Sequence, residues 1–419
     1  NVIPMDKNSI LRNRDVLIKG GKIKAIGEAG KVKHGPNAHV INATGQYLMP
    51  GLAEMHAHVP PNDNVEAQKE VVKLFALNGI TTIRGMLGHP THLNLRKMLQ
   101  TGALWGPRFV TSGPSFNGQS VKSAEAAAAL VRQQKEAGYD FLKLHPGLTV
   151  ETFTAMANTA KEVGIPFAGH VSYDVGVWRA IDAGYATIDH LDGFVESLVP
   201  NDVQSEQTNG LFGMFIGDKA DTTKIPALVS ALRTKRIWVV PTQALAERWM
   251  SPLRTAEVLR NEPEMKYMPA GTLNNWVASK NNMAKNPAYN ADAVSRFIAL
   301  RRKLIRACND NGVGLLLGCD APQVFNVPGV STHLELQYLV DAGLSPYDAL
   351  RTGTVNVGQF FNRPDLGIVK EGALADLVLL KKNPLENIAN TREIAGVMIG
   401  GRYISEADIA KELKTLEKE

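Results

Sequence analysis

The chain predicts an α/β fold: a (β/α)8 TIM barrel carrying a small β-sandwich domain built from both chain ends. Three observations lead there. Short apolar runs and helix-period stretches alternate eight times between residues 50 and 354. Metal-ligand residue types stand at the ends of several of those runs, where side chains of a barrel leave the core for a pocket. β-rich stretches with Gly-Gly turns lie outside the alternation, at residues 1–49 and 355–419.

Taken in order, Asp15–Lys19, Gly20-Gly21 and Lys22–Ile26 read as a hairpin with alternating apolar positions. Val40-Ile41 and Tyr47–Met49 follow as strand candidates. The eight barrel strands are assigned to the run ending at His56 and to 80–83, 108–111, 141–144, 166–168, 186–188, 237–240 and 314–317. Helices are expected over 65–78, 123–137, 150–163, 175–183 and 291–311, several closing on a glycine that serves as a C-terminal stop. After residue 241 the spacing breaks, and 242–290 is expected to be a lid-like insertion over the catalytic face. Gly367–Val369, Ala375–Leu380 and Ile394–Tyr403 return to β pattern and are expected to pair with the opening strands.

Composition sets bounds on function. In 419 residues, 44% are hydrophobic and 21% charged, the proportions of a globular protein with ample core. No apolar run approaches the ~18 residues of a membrane span. The net charge of +5 is spread along the chain, and Arg301-Arg302-Lys303 reads as a solvated helix face. No basic stripe with interleaved aromatics points to nucleic acid. Two cysteines, Cys308 and Cys319, imply neither a disulfide framework nor a thiolate metal site. The chain opens at Asn1, as after signal-peptide removal or trimming, so cytoplasm and periplasm or secretion all stay open.

The chemistry-bearing residues gather at strand ends. In LMPGLAEMHAHVP, His56 and His58 lie at i and i+2, so one strand presents both rings to the same side. FLKLHPG delivers Lys143 inside an apolar run, where an unpaired ammonium is costly. PFAGHV ends in His170, ATIDHLDG in His190 and GLLLGCDAP in Asp320. Each has a plain structural alternative: a satisfied core histidine, a snorkelling lysine, a turn aspartate. The bland account needs a separate coincidence at five of eight strand ends; one metal pocket accounts for all of them.

These same residues resemble the metal-dependent amidohydrolase superfamily, and within it the imidazolonepropionase-like and Xaa-Pro dipeptidase (prolidase-like) branch. The likeness covers essentially the whole chain, including the closing ADLVLLKKNPLENI stretch. It implies that His56, His58 and Asp320 bind one ion and His170 and His190 a second. Lys143 would be carboxylated by CO2 to a bridging carbamate, which turns a misplaced cation into an anionic oxygen ligand. Two divalent ions are expected, with zinc the leading choice for imidazole and oxygen donors. A homo-oligomer is a family expectation.

The resemblance further implies a binuclear hydrolase of an amide-type C–N bond in a dipeptide, N-acyl amino acid, carbamate or urea. A metal-bridging hydroxide would attack, with Asp320 moving the proton to the leaving amine. A small-molecule substrate bearing a carboxylate is expected, with His145, Tyr173 and Arg84 as candidates for binding it. Two rivals remain: a mononuclear deaminase or cyclic amidohydrolase of the same superfamily, and a non-catalytic assembly scaffold, which the full ligand set disfavours.

Overall fold

The computed structural model describes residues 1–418. β1 (Arg14–Lys19) and β2 (Lys22–Glu28) form the expected hairpin, with Gly20 and Gly21 at φ +61° and +69° supplying the turn. β3 (Tyr47–Pro50) leads into seven regular parallel barrel strands. These are β4 (Leu52–Ala57), β5 (Ile80–Gly85), β6 (Arg108–Thr111), β7 (Leu142–Leu144), β8 (Phe167–Gly169), β9 (Thr187–Asp189) and β10 (Trp238–Val240). β11 (Leu377–Leu380), β12 (Ile394–Ile399) and β13 (Arg402–Ser405) follow the barrel.

The eighth barrel position departs from expectation. Residues 314–317 are extended but make no regular strand. They nonetheless close the ring, because Val239 N–H donates to Gly314 O, Leu316 N–H to Val239 O, and Met55 N–H to Leu317 O. Isolated bridges Ser112–Phe141 and Phe116–Leu144 join β6 to β7 in the same way. The architecture is a TIM barrel. Glycine is required at two points of closure. A Cβ on Gly318 would lie 2.9 Å from the His56 nitrogen, and one on Gly169, at φ +124°, 2.5 Å from Leu144 O.

The helices follow their sequence signals closely. Val65–Leu77 is capped by Asn64, Ala124–Glu136 by Ser123, and Val150–Val163 carries a Thr149 capping box and ends on left-handed Gly164. Gly176–Ala183 and Ala291–Asp310 complete the expected set. Their apolar faces join the strands in one continuous core containing Phe75, Ile83, Phe153, Ile188 and Phe297.

Strands from the two chain ends meet in one sheet. β3 pairs antiparallel with β11, giving the sheet β13-β12-β11-β3. The β1–β2 hairpin shares a separate small core with it through Val2, Ile23, Val369 and Leu377. Val40 and Ile41 form no strand, and Val40 is largely exposed. Among the described residues no helix is long and apolar enough to cross a membrane.

Candidate metal centre

The barrel brings its strand-end residues together at one end. His56 and His190 ring centroids are 4.4 Å apart, His170 and His190 also 4.4 Å, and His56 and His58 5.5 Å. Asp320 Oδ1 lies 2.6 Å from His58 Nε2 and 3.5 Å from His56 Nε2. Ligand atoms of His56, His190 and Asp320 all lie within 4.8 Å of one another. Lys143, fully buried, puts Nζ 3.4 Å from His56 Nε2. The side chains of all six residues therefore lie close together at this end of the barrel.

Backbone strain concentrates at the same place. His190, Thr242 and Asp320 adopt φ of +64°, +47° and +66°. Such left-handed conformations cost a non-glycine residue about 1–3 kcal/mol each and persist where the surroundings impose them. Here they turn the chain at the ends of three strands so that each side chain faces inward.

Three of these imidazoles have a polar neighbour on the Nδ1 side. His56 Nδ1 lies 2.9 Å from Asp189 Oδ2, His170 Nδ1 3.0 Å from Asp192 Oδ2, and His190 Nδ1 2.8 Å from Thr242 Oγ1. This arrangement sets the rings' orientation and leaves Nε2 for the pocket. Burial pushes His56 and His190 well below the usual histidine range and His170 down to about 3, with Lys143 adding to the shift of His56 and His170. The rings are thus neutral near pH 7, the form that donates to a metal. Burial likewise brings Lys143 down to about 8 against the pull of Asp189 and Asp320.

Sequence reasoning missed this supporting layer. Asp189 and Asp192 flank His190 in ATIDHLDG, and Thr242 follows the seventh apolar run as the ligands follow theirs; both were available signals. Glu54, two residues before His56, was another. It is fully buried and accepts from His56 N–H, Cys319 N–H, Cys319 Sγ and Thr332 Oγ1, tying strand one to the turn that carries Asp320. Arg301 is a correction. It is not on a solvated face but 1% exposed, donating to the carbonyls of His190 and Pro241 and to Gln243 Oε1.

The expected substrate-binding residues divide. His145 stacks on His170 with centroids 5.0 Å apart and is partly exposed beside the pocket. Tyr173 is 39% exposed and its hydroxyl donates to Gln204 O. Arg84 is the second correction: it is buried behind the site, donating to Met55 O, Thr187 Oγ1 and Asp189, and is not among the described residues that line the cavity. Its apolar strand carries it inward, where Asp189 compensates its charge. His333 lies within the helix Val330–Asp341 and bonds Asn78 O and Thr391, a structural tie.

A cavity of about 1040 Å³ opens beside His170 and Asp192. Its outer wall comes from residues 194–224, the excursion after β9. Of the 242–290 stretch expected as a lid, Asn286 alone lines it. That stretch instead packs on the core through Trp276 against Phe325, and Lys280 donates to the carbonyls of Arg248, Trp249 and Ser251. Phe212, at φ +56°, lays its ring nearly parallel to those of His190 and His170, at 5.0 and 6.0 Å.

Known proteins bear on this site. An adenine deaminase from Deinococcus deserti is 25% identical over 379 residues, 88% of this chain and 53% of its own. The chain thus spans about half the length of that curated relative. Among solved structures, a Xaa-Pro dipeptidase with bound methionine superimposes with a TM-score of 0.69 at 18% identity, covering 96% of this chain and 98% of that one. Aspergillus niger ochratoxinase superimposes with a TM-score of 0.66 at 19% identity, covering 96% and 94%. The sequence pattern of the amidohydrolase family matches residues 47–404, from the strand that enters the barrel to the final strand of the end sheet. With the inward-turned histidines, aspartate and lysine at the strand ends, that match over most of the chain establishes it as a member of the amidohydrolase family.

Proposed function

We propose that the chain hydrolyses an amide-type C–N bond in a small molecule, such as a dipeptide, N-acyl amino acid, carbamate or urea, with two divalent ions and a carboxylated Lys143. The observation that carries this reading is Lys143 itself. A fully buried amine, brought down to about 8 and 3.4 Å from an imidazole nitrogen, sits among His56, His170 and Asp320 without a dedicated carboxylate bonded to it. A lysine there is costly as a cation and suited to CO2 as a neutral amine. Its nitrogen lone pair forms the bond to carbon, one N–H proton leaves, and the resulting carbamate is anionic.

The donor set fits two ions. His56, His58 and Asp320 would hold one, and His170 and His190 the other, with zinc suited to the imidazole and oxygen donors. Bound divalent ions supply a water of lowered pKa and polarise the scissile carbonyl. Asp320, 4% exposed and within reach of both His56 and His58, would take the proton from water and deliver it to the departing nitrogen. Asp189, Asp192 and Thr242 hold the rings that frame the reaction. His145, stacked on His170, and Tyr173, in the cavity lining, would contact a substrate entering past His170. The β layers made by the chain ends are read as the small sandwich domain, and a homo-oligomer as the assembly.

A second reading, hydrolytic deamination at a single ion, is favoured by the tight three-residue group His56, His190 and Asp320 and by the likeness to adenine deaminase. Elemental analysis of the purified chain, with intact mass measured under native conditions, separates the two. About two ions per chain with a carbamate-sized mass excess that vanishes in Lys143→Ala is the expected result. About one ion and no excess would replace the binuclear reading with the mononuclear one.

A further inference from the structure

The chamber beside the metal centre has a charge of its own. Its acidic lining includes Asp174, Glu196 and Glu206, besides the His170 partner Asp192, and among the described residues no arginine lines it. Lys224 is the one lysine among the described lining residues. Four carboxyl side chains against one lysine leave the described lining acidic on balance.

Glu196 is the member whose surroundings leave something unfinished. It sits on the short helix Phe194–Leu198, six residues past His190, against the wall of the cavity. Its Oε2 is buried and has no hydrogen-bond partner. Burial, with the nearby Asp192, pushes its carboxyl up to about 8. Buried carboxylates ordinarily have a donor or a countercharge; within the chain this oxygen has neither. The turn at Gly210–Gly213 packs beside it, since a Cβ on Gly213 would come within 3.4 Å of the Glu196 carboxyl carbon. At the mouth of the same cavity Tyr173 and Trp178 are 39% and 46% exposed. Aromatic faces beside carboxylates are the combination that receives organic cations.

We infer that Glu196, with Tyr173 and Trp178 at the rim, forms a subsite for an alkylammonium group carried by the substrate. This deepens the hydrolase reading, since it takes the cavity as that enzyme's substrate chamber. The ammonium would donate to the carboxylate on the side that lines the cavity and supply its countercharge, while the aromatic rings at the rim would cover its methylene stem. The bond to be cleaved would then lie toward His170 and Asp320.

The test is calorimetric binding of two probes to the purified full chain: Nα-acetyl-L-lysine amide and Nα-acetyl-L-norleucine amide, which differ in the terminal ammonium. The lysine probe should bind at least about tenfold more tightly, as befits a charged, desolvated hydrogen bond. Glu196→Gln should remove that preference and Glu196→Asp should retain it. Equal affinity for the two probes, including no binding of either, overturns the inference, as does a preference that survives in Glu196→Gln or disappears in both variants alike. Because binding needs no turnover, a chain that fails to hydrolyse any C–N bond can still show the preference. A competent hydrolase without the preference loses the subsite alone.

Discussion

Glu54 gives the sharpest test of how the barrel holds its candidate metal ligands. The carboxyl is enclosed, and four donors point at it: two backbone N–H groups, a thiol and a hydroxyl. These favour the anion, whereas burial opposes it, and burial prevails, raising the carboxyl from 4.5 to about 7. The sign follows by linkage. A carboxyl whose folded value is raised binds its proton more tightly when folded, so its contribution is fully present below pH 4.5 and is lost as pH rises through about 7. At about 1.4 kcal/mol per pH unit, the difference makes the loss about 3 kcal/mol. Glu54→Gln keeps the shape and removes the titration. In chelator, denaturation midpoints of the natural chain and Glu54→Gln should therefore diverge between pH 5 and pH 8, the natural chain losing ground as pH rises. Parallel curves, or a natural chain that gains on the variant with rising pH, would show that the four donors outweigh burial and that the site is held together by an anion at its base.

Other outcomes follow from the same geometry. Asp320→Asn should lower kcat by about 10²–10⁴ while changing KM far less, because the amide cannot carry the proton; near-normal turnover on any hydrolysed substrate would remove Asp320 from that role. Asp192→Asn disturbs the partner of His170 Nδ1 without touching a proposed ligand, and should weaken metal binding about 10- to 100-fold in competition with a chelator. Unchanged metal affinity would mean that packing alone orients the ring.

Much of the fold was legible because it is written in local periods. Seven of the eight apolar runs became regular strands, and the helix ends fell near their capping residues and glycines. The residues at 314–317 kept their place in the ring without regular strand geometry: Gly314 packs against the Trp238 ring and Gly318 against His56, and those contacts cannot be inferred from a run of leucines. The gathering of His56, His58, Lys143, His170, His190 and Asp320 at one end of the barrel was legible for a related reason. A polar side chain at the end of an apolar run has few places to point in a barrel except its mouth.

What lay beyond local pattern was decided by contacts between distant segments. The Arg84 and Arg301 side chains look free in sequence, yet each is buried because a carboxylate or a set of strand-end carbonyls waits for it across the barrel. The wall of the cavity comes from residues 194–224 rather than 242–290, since the longer excursion has its own apolar residues to bury against the core. The sequence by itself determined the alternation of strands and helices and the identity of the ligand-type residues, both consequences of short-range periodicity and side-chain chemistry. The tertiary structure alone decided which carboxylates orient those ligands and which line the chamber, because burial and charge compensation depend on partners that the chain supplies from a hundred residues away.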